Sequence, residues 1–218
     1  MKPSSTPEPI RTHGPIPFFL AIAACLVCGA FNPAIAGEYN RVLSIGDAAP
    51  SWDQLPGTDE ASHSLKDLAK HKAILVVFTC NSCPYAVDAE DELISIANRY
   101  QRQGLAVVAI NVNTIVDDRL PAMKERAEEK KFPFPYLYDA SQEVAKQYGA
   151  KTTPESFLLD GQRKIVYMGG LVDADKKPAL VPAIDDLLAG DAIATAETPA
   201  VGCLIRFNRP RGGRRSKK

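Results

Sequence analysis

Charge of one sign is the first thing this chain lacks. Lysine plus arginine number 26 and aspartate plus glutamate number 26, so there is no bulk positive field for a nucleic-acid partner to recognise. The exception is local: Arg206, Arg209, Arg211, Arg214, Arg215, Lys217 and Lys218 crowd the last residues, a Gly- and charge-rich end of the kind that rarely packs. Long apolar runs are also scarce. The N-terminal run Phe18 to Phe31 is too short and too rich in small residues for a comfortable membrane span. It follows a polar start carrying Lys2, Arg11 and His13, and it leads into Ala34-Ile35-Ala36-Gly37, an A-x-A cleavage pattern. Residues 1–36 therefore read as a secretory signal peptide cleaved near Ala36, which places the mature protein in the periplasm or outside the cell. Two other readings tether it to a membrane: an uncleaved signal acting as an anchor, or lipidation of Cys25, since Ile22-Ala23-Ala24-Cys25 resembles a lipobox.

Cysteine is sparse. Of the five, Cys25 and Cys28 leave with the signal, and Cys80, Cys83 and Cys203 remain. No second pair of Cys or His ligands follows the C-x-x-C at zinc spacing, and His63 and His71 read as surface residues with no copper-ligand spacing to the two thiols. Neither a metal nor a cofactor is expected. An odd number of cysteines in an oxidising compartment leaves at least one free or intermolecular thiol, which suits redox chemistry better than a structural staple. A bridge across so small a loop also removes little unfolded-chain entropy.

What is present is a single domain's worth of alternating strand and helix signals. Trp52 to Leu55 reads as short and extended, Pro56-Gly57-Thr58-Asp59 as a turn, and Ser64 to Leu68 as a capped helical turn. Ala73 to Phe78 is a continuous, β-branched apolar run, as expected of a strand buried on both faces. After it, Ala86, Ala89, Leu93, Ile96, Ala97 and Tyr100 share one helical face, and Gly104 closes the segment. Leu105 to Ile110 repeats the strand pattern, giving a right-handed β-α-β unit with parallel strands. Pro121 opens a helix to Lys131 whose mixed charges read as a solvated face. Phe132 to Tyr138 reads as a short edge strand, and Ser141 as the cap of a helix that Gly149 ends. Ser156 to Leu159 and Ile165 to Met168 flank Asp160-Gly161 as a hairpin, and a last helix with Leu180, Ile184, Leu187 and Leu188 stops at Gly190. The fold class is α/β. The domain is drawn at 37–190, with 191–218 as a tail.

Two constellations carry chemistry. Cys80-Asn81-Ser82-Cys83-Pro84 lies where the first long strand ends and a helix begins, so unpaired amides and the helix dipole should favour thiolate on Cys80. Cys83, one turn on, is placed to resolve a mixed disulfide formed there. Thr152-Thr153-Pro154-Glu155 precedes the hairpin. A cis bond before Pro154, packed against Cys80, would present the Thr153 backbone as an extended edge for a cysteine-bearing partner segment. Glu155 is the candidate acceptor for the resolving thiol's proton.

Three stretches resemble the thioredoxin-like superfamily, in particular its redoxin branch, the alkyl hydroperoxide reductase/thiol-specific antioxidant group with its peroxiredoxin-like relatives. They are Val76 to Tyr85 around the cysteines, Phe134 to Asp139, and Thr153-Pro154-Glu155; the closing Thr198 to Cys203 is similar to the tail of the peroxiredoxin-like subgroup. The resemblance implies a thioredoxin-like fold, a central mixed sheet flanked by helices with a C-terminal hairpin and helix. It implies Cys80 as attacking thiol, Cys83 as its partner and Pro154 as cis-proline. The hydroxyl residue that peroxiredoxins carry three positions before their peroxidatic cysteine is Val77 here, and the buried aspartate of thioredoxin is missing from the apolar strand. The expected activity is that of an exported thiol–disulfide oxidoreductase acting on a protein disulfide or thiol, with an upstream thiol as electron donor. A thiol peroxidase and a metal-binding dithiol module are the alternatives. Cys203 has three readings: a resolving thiol that folds across the site, an intermolecular partner, or an inert residue.

Overall fold

A computed structural model describes residues 37–208 except residue 174. Contacts divide the chain into Met1–Pro33 and Ala34–Lys218, and all the described residues lie in the second unit. The signal peptide, Cys25, Cys28 and the basic residues from Arg209 onward fall outside the described residues. Among those described, no helix is long and apolar enough to cross a membrane.

The elements run β1 (Leu55–Pro56), β2 (Ser62–His63), β3 (Ala73–Phe78), α1 (Pro84–Asp88), α2 (Glu90–Tyr100), β4 (Leu105–Asn111), α3 (Leu120–Lys130), β5 (Tyr136–Tyr138), α4 (Glu143–Tyr148), β6 (Thr152–Thr153), β7 (Glu155–Leu159), β8 (Ile165–Gly169), α5 (Leu180–Ala189) and β9 (Cys203–Leu204). Five strands form a mixed sheet in the order β5-β4-β3-β7-β8. The strands β3, β4 and β5 are parallel, whereas β7 runs antiparallel to both β3 and β8. This is the expected α/β architecture. Tyr136–Tyr138 takes the edge and the hairpin the other flank, as their patterns indicate.

The sheet separates two cores because strand side chains alternate in direction. From β3, Ala73, Leu75 and Val77 enter the core that holds Leu93, Tyr100, Tyr167 and Ile184, beneath α2 and α5. Ile74, Val76 and Phe78 enter the other, with Trp52, Val144, Tyr148 and Phe157. All six are fully buried, which explains why β3 reads as an unbroken apolar run. Phe78 sits edge-on to both Tyr148 and Phe157, with ring centroids 5.4 and 5.7 Å away, and so anchors the strand end from which the cysteines emerge.

Four expectations need correction. The helix after the cysteines breaks at Ala89 into α1 and α2, although all six apolar residues assigned to its face are buried. Ser141 is not the principal cap of α4. That helix starts at Glu143, and the buried Asp139 accepts the Ser141, Gln142 and Val144 amides at 3.0, 3.0 and 2.9 Å. A carboxylate serves three donors where a hydroxyl would serve one. The chain also continues to pack beyond Gly190: β9 pairs with β6, and the Thr198 N–H bonds to the Met168 carbonyl at 3.1 Å. Finally, the charged face of α3 is only partly solvated. Arg126 forks onto Glu90 of α2 through Nε–Oε1 at 2.9 Å and NH2–Oε2 at 2.7 Å, and the Glu90 side chain is 6% exposed. Arg126→Met would leave that carboxylate with only Lys130, 3.6 Å from Oε2. The expected loss is about 3 kcal/mol, the lower end for breaking a buried pair. An unchanged denaturation midpoint would show that the clamp contributes nothing.

Candidate active site

The site lies at the carboxyl end of β3. Thr79 to Cys83 form a loop, Cys83 is the N-cap of α1 with extended φ −93° and ψ 119°, and Pro84 takes the first turn, where its missing N–H costs nothing. Cys80 therefore stands one turn ahead of the helix, which corrects the expectation that the dipole favours its thiolate. The reason is the buried side chain of Asp118. Its Oδ1 accepts the Asn81 and Ser82 amides at 2.7 and 3.1 Å and the Asn111 amide group at 3.3 Å. Its Oδ2 accepts the Ser82 hydroxyl at 2.5 Å and the Asn113 amide group at 3.1 Å. Loop amides that could have faced a sulfur are engaged by a carboxylate.

Thr153 lies against both cysteines. Cys80 Sγ is 3.3 Å from the Thr153 hydroxyl, and the Cys83 thiol donates to the Thr153 carbonyl at 3.1 Å. The Thr153–Pro154 peptide is cis. The structure thus brings together Cys80, Cys83, Thr153 and Pro154, with Cys80 and Cys83 buried at 2% and 1% exposure. Glu155 is turned elsewhere: its Oε2 accepts the Lys151 and Thr152 amides at 2.8 and 3.0 Å and the Thr152 hydroxyl at 3.2 Å, holding the bend before the cis-proline. The carboxylate near the sulfurs is Asp118. Sequence reasoning overlooked it because it lies in the loop after β4, far along the chain. The available signal was topological, since loops at the carboxyl ends of adjacent parallel strands converge, and β3 and β4 are such a pair.

The tail completes the site. Cys203 packs against Cys80, Cys83 and Ala86, and its strand β9 pairs antiparallel with β6, Cys203 opposite Thr153. The edge expected to receive a partner segment is thus covered by the chain itself. A groove of about 730 Å³ opens beside it, lined by the three cysteines, Ser82, Ile115 and Arg206 among others.

Burial raises the Cys80 thiol above its ordinary value, and the Asp118 charge adds to this, outweighing the hydrogen bonds from Thr153, Ser82 and the Cys83 amide. Burial also raises Cys83, but hydrogen bonds from Cys203, the Ala86 amide and Thr153 bring it below the ordinary thiol. Sharing that bond pushes Cys203 up to about 11. As pH rises, Cys83 should ionise first and Cys80 later. Below its own pKa each thiol should alkylate roughly tenfold faster per pH unit, following its thiolate fraction. Iodoacetamide labelling resolved by cysteine across pH checks the order, and Cys80 titrating below Cys83 would contradict it.

The fold and the paired thiols beside a cis-proline define a thioredoxin-like protein of the redoxin kind. Residues 45–168 match the model of the AhpC/TSA family, and the chain belongs to that family. It is similar to the structure of a hypothetical protein from Sinorhizobium meliloti 1021, with 34% identity, TM-score 0.73, and 78% of this chain and 98% of that one covered. It is equally similar to an uncharacterized conserved protein from Geobacillus kaustophilus, with 35% identity, TM-score 0.73, and 78% and 96% covered. Among curated relatives, the thiol-disulfide oxidoreductase ResA of Bacillus thuringiensis subsp. konkukian is 25% identical over 154 residues, 68% of this chain and 84% of that protein.

Proposed function

We propose that this protein is a thiol–disulfide oxidoreductase of redoxin type that works outside the cytoplasm with Cys80 and Cys83 as its dithiol. The observation carrying the reading is that two buried thiols contact one residue, Thr153, immediately before a cis-proline. The Cys80 thiolate attacks one sulfur of a substrate disulfide, and the other sulfur leaves as a thiolate and takes a proton. Cys83 then attacks the Cys80 sulfur of the mixed disulfide. The second substrate thiol departs and a Cys80–Cys83 disulfide remains. An upstream thiol donor reduces that bond and resets the enzyme.

Thr153 and Pro154 position the pair, and Asp118 shapes the loop that carries Cys80. The exported location rests on the sequence pattern of residues 1–36. A thiol peroxidase reading has less support. Position 77 carries valine in place of a hydroxyl, and the hydroxyls beside Cys80 Sγ are those of Thr153 and Ser82. Catalysed reduction of insulin disulfides in the presence of dithiothreitol tests the proposal. A rate equal to dithiothreitol alone, together with rapid peroxide consumption, would overturn it in favour of the peroxidase.

A further inference from the structure

The family match ends at residue 168, whereas the segment covering the site comes some thirty residues later, at β9. Its path is built for close approach. A β-carbon added at Gly202 would lie 2.1 Å from the Thr153 carbonyl oxygen and 2.7 Å from its carbonyl carbon, so only glycine lets this backbone cross the residue before the cis-proline. The tail is held on both sides of that crossing. The Ile205 N–H bonds to the Lys151 carbonyl at 2.8 Å, and the Thr198 hydroxyl accepts the Gly170 N–H at 3.1 Å. What lies on the Thr153 edge is therefore an extended, cysteine-bearing segment paired through its backbone, the form a substrate strand would take. The cysteine it carries packs against the dithiol and is only partly buried, whereas Cys80 and Cys83 are buried.

We propose that Cys203 is a third redox thiol, and that β9 is docked as a resident substrate whose cysteine exchanges with the dithiol within one chain. This handover rests on the dithiol reading above. Once Cys80 and Cys83 have formed their disulfide, the Cys203 thiolate attacks Cys83 Sγ. The Cys80–Cys83 bond breaks, a Cys83–Cys203 bond forms, and Cys80 leaves as a thiolate that takes up the proton given up by Cys203. No electrons are gained or lost in this isomerisation. It returns Cys80 to the reduced state while the oxidising equivalent moves to a sulfur that an upstream thiol can reach. The tail thus links two half-reactions, substrate reduction at Cys80 and recharging at Cys203.

The full chain carrying Cys80→Ser isolates the new pair. Diamide takes two electrons and two protons from two thiols, and the expected product is an intramolecular Cys83–Cys203 bridge, identified by peptide mapping without reductant. Adding Gly202→Val should slow bridge formation by about tenfold or more, because it lifts the tail without altering a sulfur. A product with Cys83 and Cys203 unlinked or joined only between chains, or a bridge forming as fast with Gly202→Val, would overturn the proposal. Should Gly202→Val fail to fold by circular dichroism, Cys203→Ser decides. It should slow re-reduction of the oxidised enzyme by glutathione about tenfold, the loss of an accessible exchange partner, and an unchanged rate would overturn the handover. The two readings fail separately. A bridge without insulin reduction sinks the proposed function and leaves Cys203 a redox thiol with no handover to serve, whereas insulin reduction without a bridge sinks this inference alone.

Discussion

Asp118→Ala should lower stability by about 3–5 kcal/mol, the range for stranding the partners of a buried charge. Asp118 is fully buried and collects five donors: two loop amides, one hydroxyl and two side-chain amide groups. Alanine leaves the Asn81 and Ser82 N–H groups without an acceptor at the point where the chain turns out of β3. In a domain of this size the melting temperature should fall by roughly 6–20 °C. Asp118→Asn should cost much less. Its carbonyl oxygen can still meet the two amides, while the Ser82 hydroxyl and the Asn113 amide can turn to accept from the new NH2. The two variants also separate structure from charge. Asp118 raises the Cys80 thiol electrostatically, so Asp118→Asn, which keeps the loop, should move the Cys80 alkylation profile to lower pH. An unmoved profile in a folded Asp118→Asn protein would mean that burial and the hydrogen bonds set the acidity of Cys80 without the Asp118 charge.

The readable parts of the chain were those where one periodicity dominates. The β3 and β4 runs and the hairpin around Gly161 each carry a local pattern that packing enforces and formed as that pattern indicates, and the six apolar residues from Ala86 to Tyr100 are buried although their helix breaks at Ala89. The meeting of the C-x-x-C loop with Thr153-Pro154 could be anticipated from their order, because β7 must return beside β3 for the hairpin to join the sheet. Contacts between distant residues were not readable. Glu155 looked like the proton acceptor of the site because it adjoins the proline, but strand alternation and the hydrogen bonds of the 151–152 bend turn it away from the sulfurs. Asp118, beyond the end of β4, reaches the cysteine loop only through sheet topology. The helix start was misjudged by one turn because Cys83, with extended backbone immediately before Pro84, is the N-cap. The domain was drawn to end at Gly190, whereas Thr198, Gly202 and Ile205 each make a specific backbone contact that composition does not encode.

Cys83→Ser should convert the enzyme into a trap. With Cys80 intact, attack on a substrate disulfide still yields the mixed disulfide, but the thiol that would displace the substrate is gone. Turnover should fall by about a thousandfold or more, as for other residues that act as a unit in covalent chemistry. A covalent complex through Cys80 should accumulate, visible as a band that reductant removes. Cys80→Ser should be equally inactive without forming the complex. The tail sharpens the test. Cys203 lies against the same pair, and a chain in which it could resolve Cys80 directly would keep turning over in Cys83→Ser and release the trapped substrate. The hydrogen bond that Cys203 shares is with Cys83, so the trap should hold equally well in Cys83→Ser and in Cys83→Ser/Cys203→Ser. A complex that survives only in the double variant would reassign Cys203 to Cys80. A complex that forms on Cys83 in Cys80→Ser would reverse the order of attack, an outcome for which the lower pKa of Cys83 supplies the physical reason.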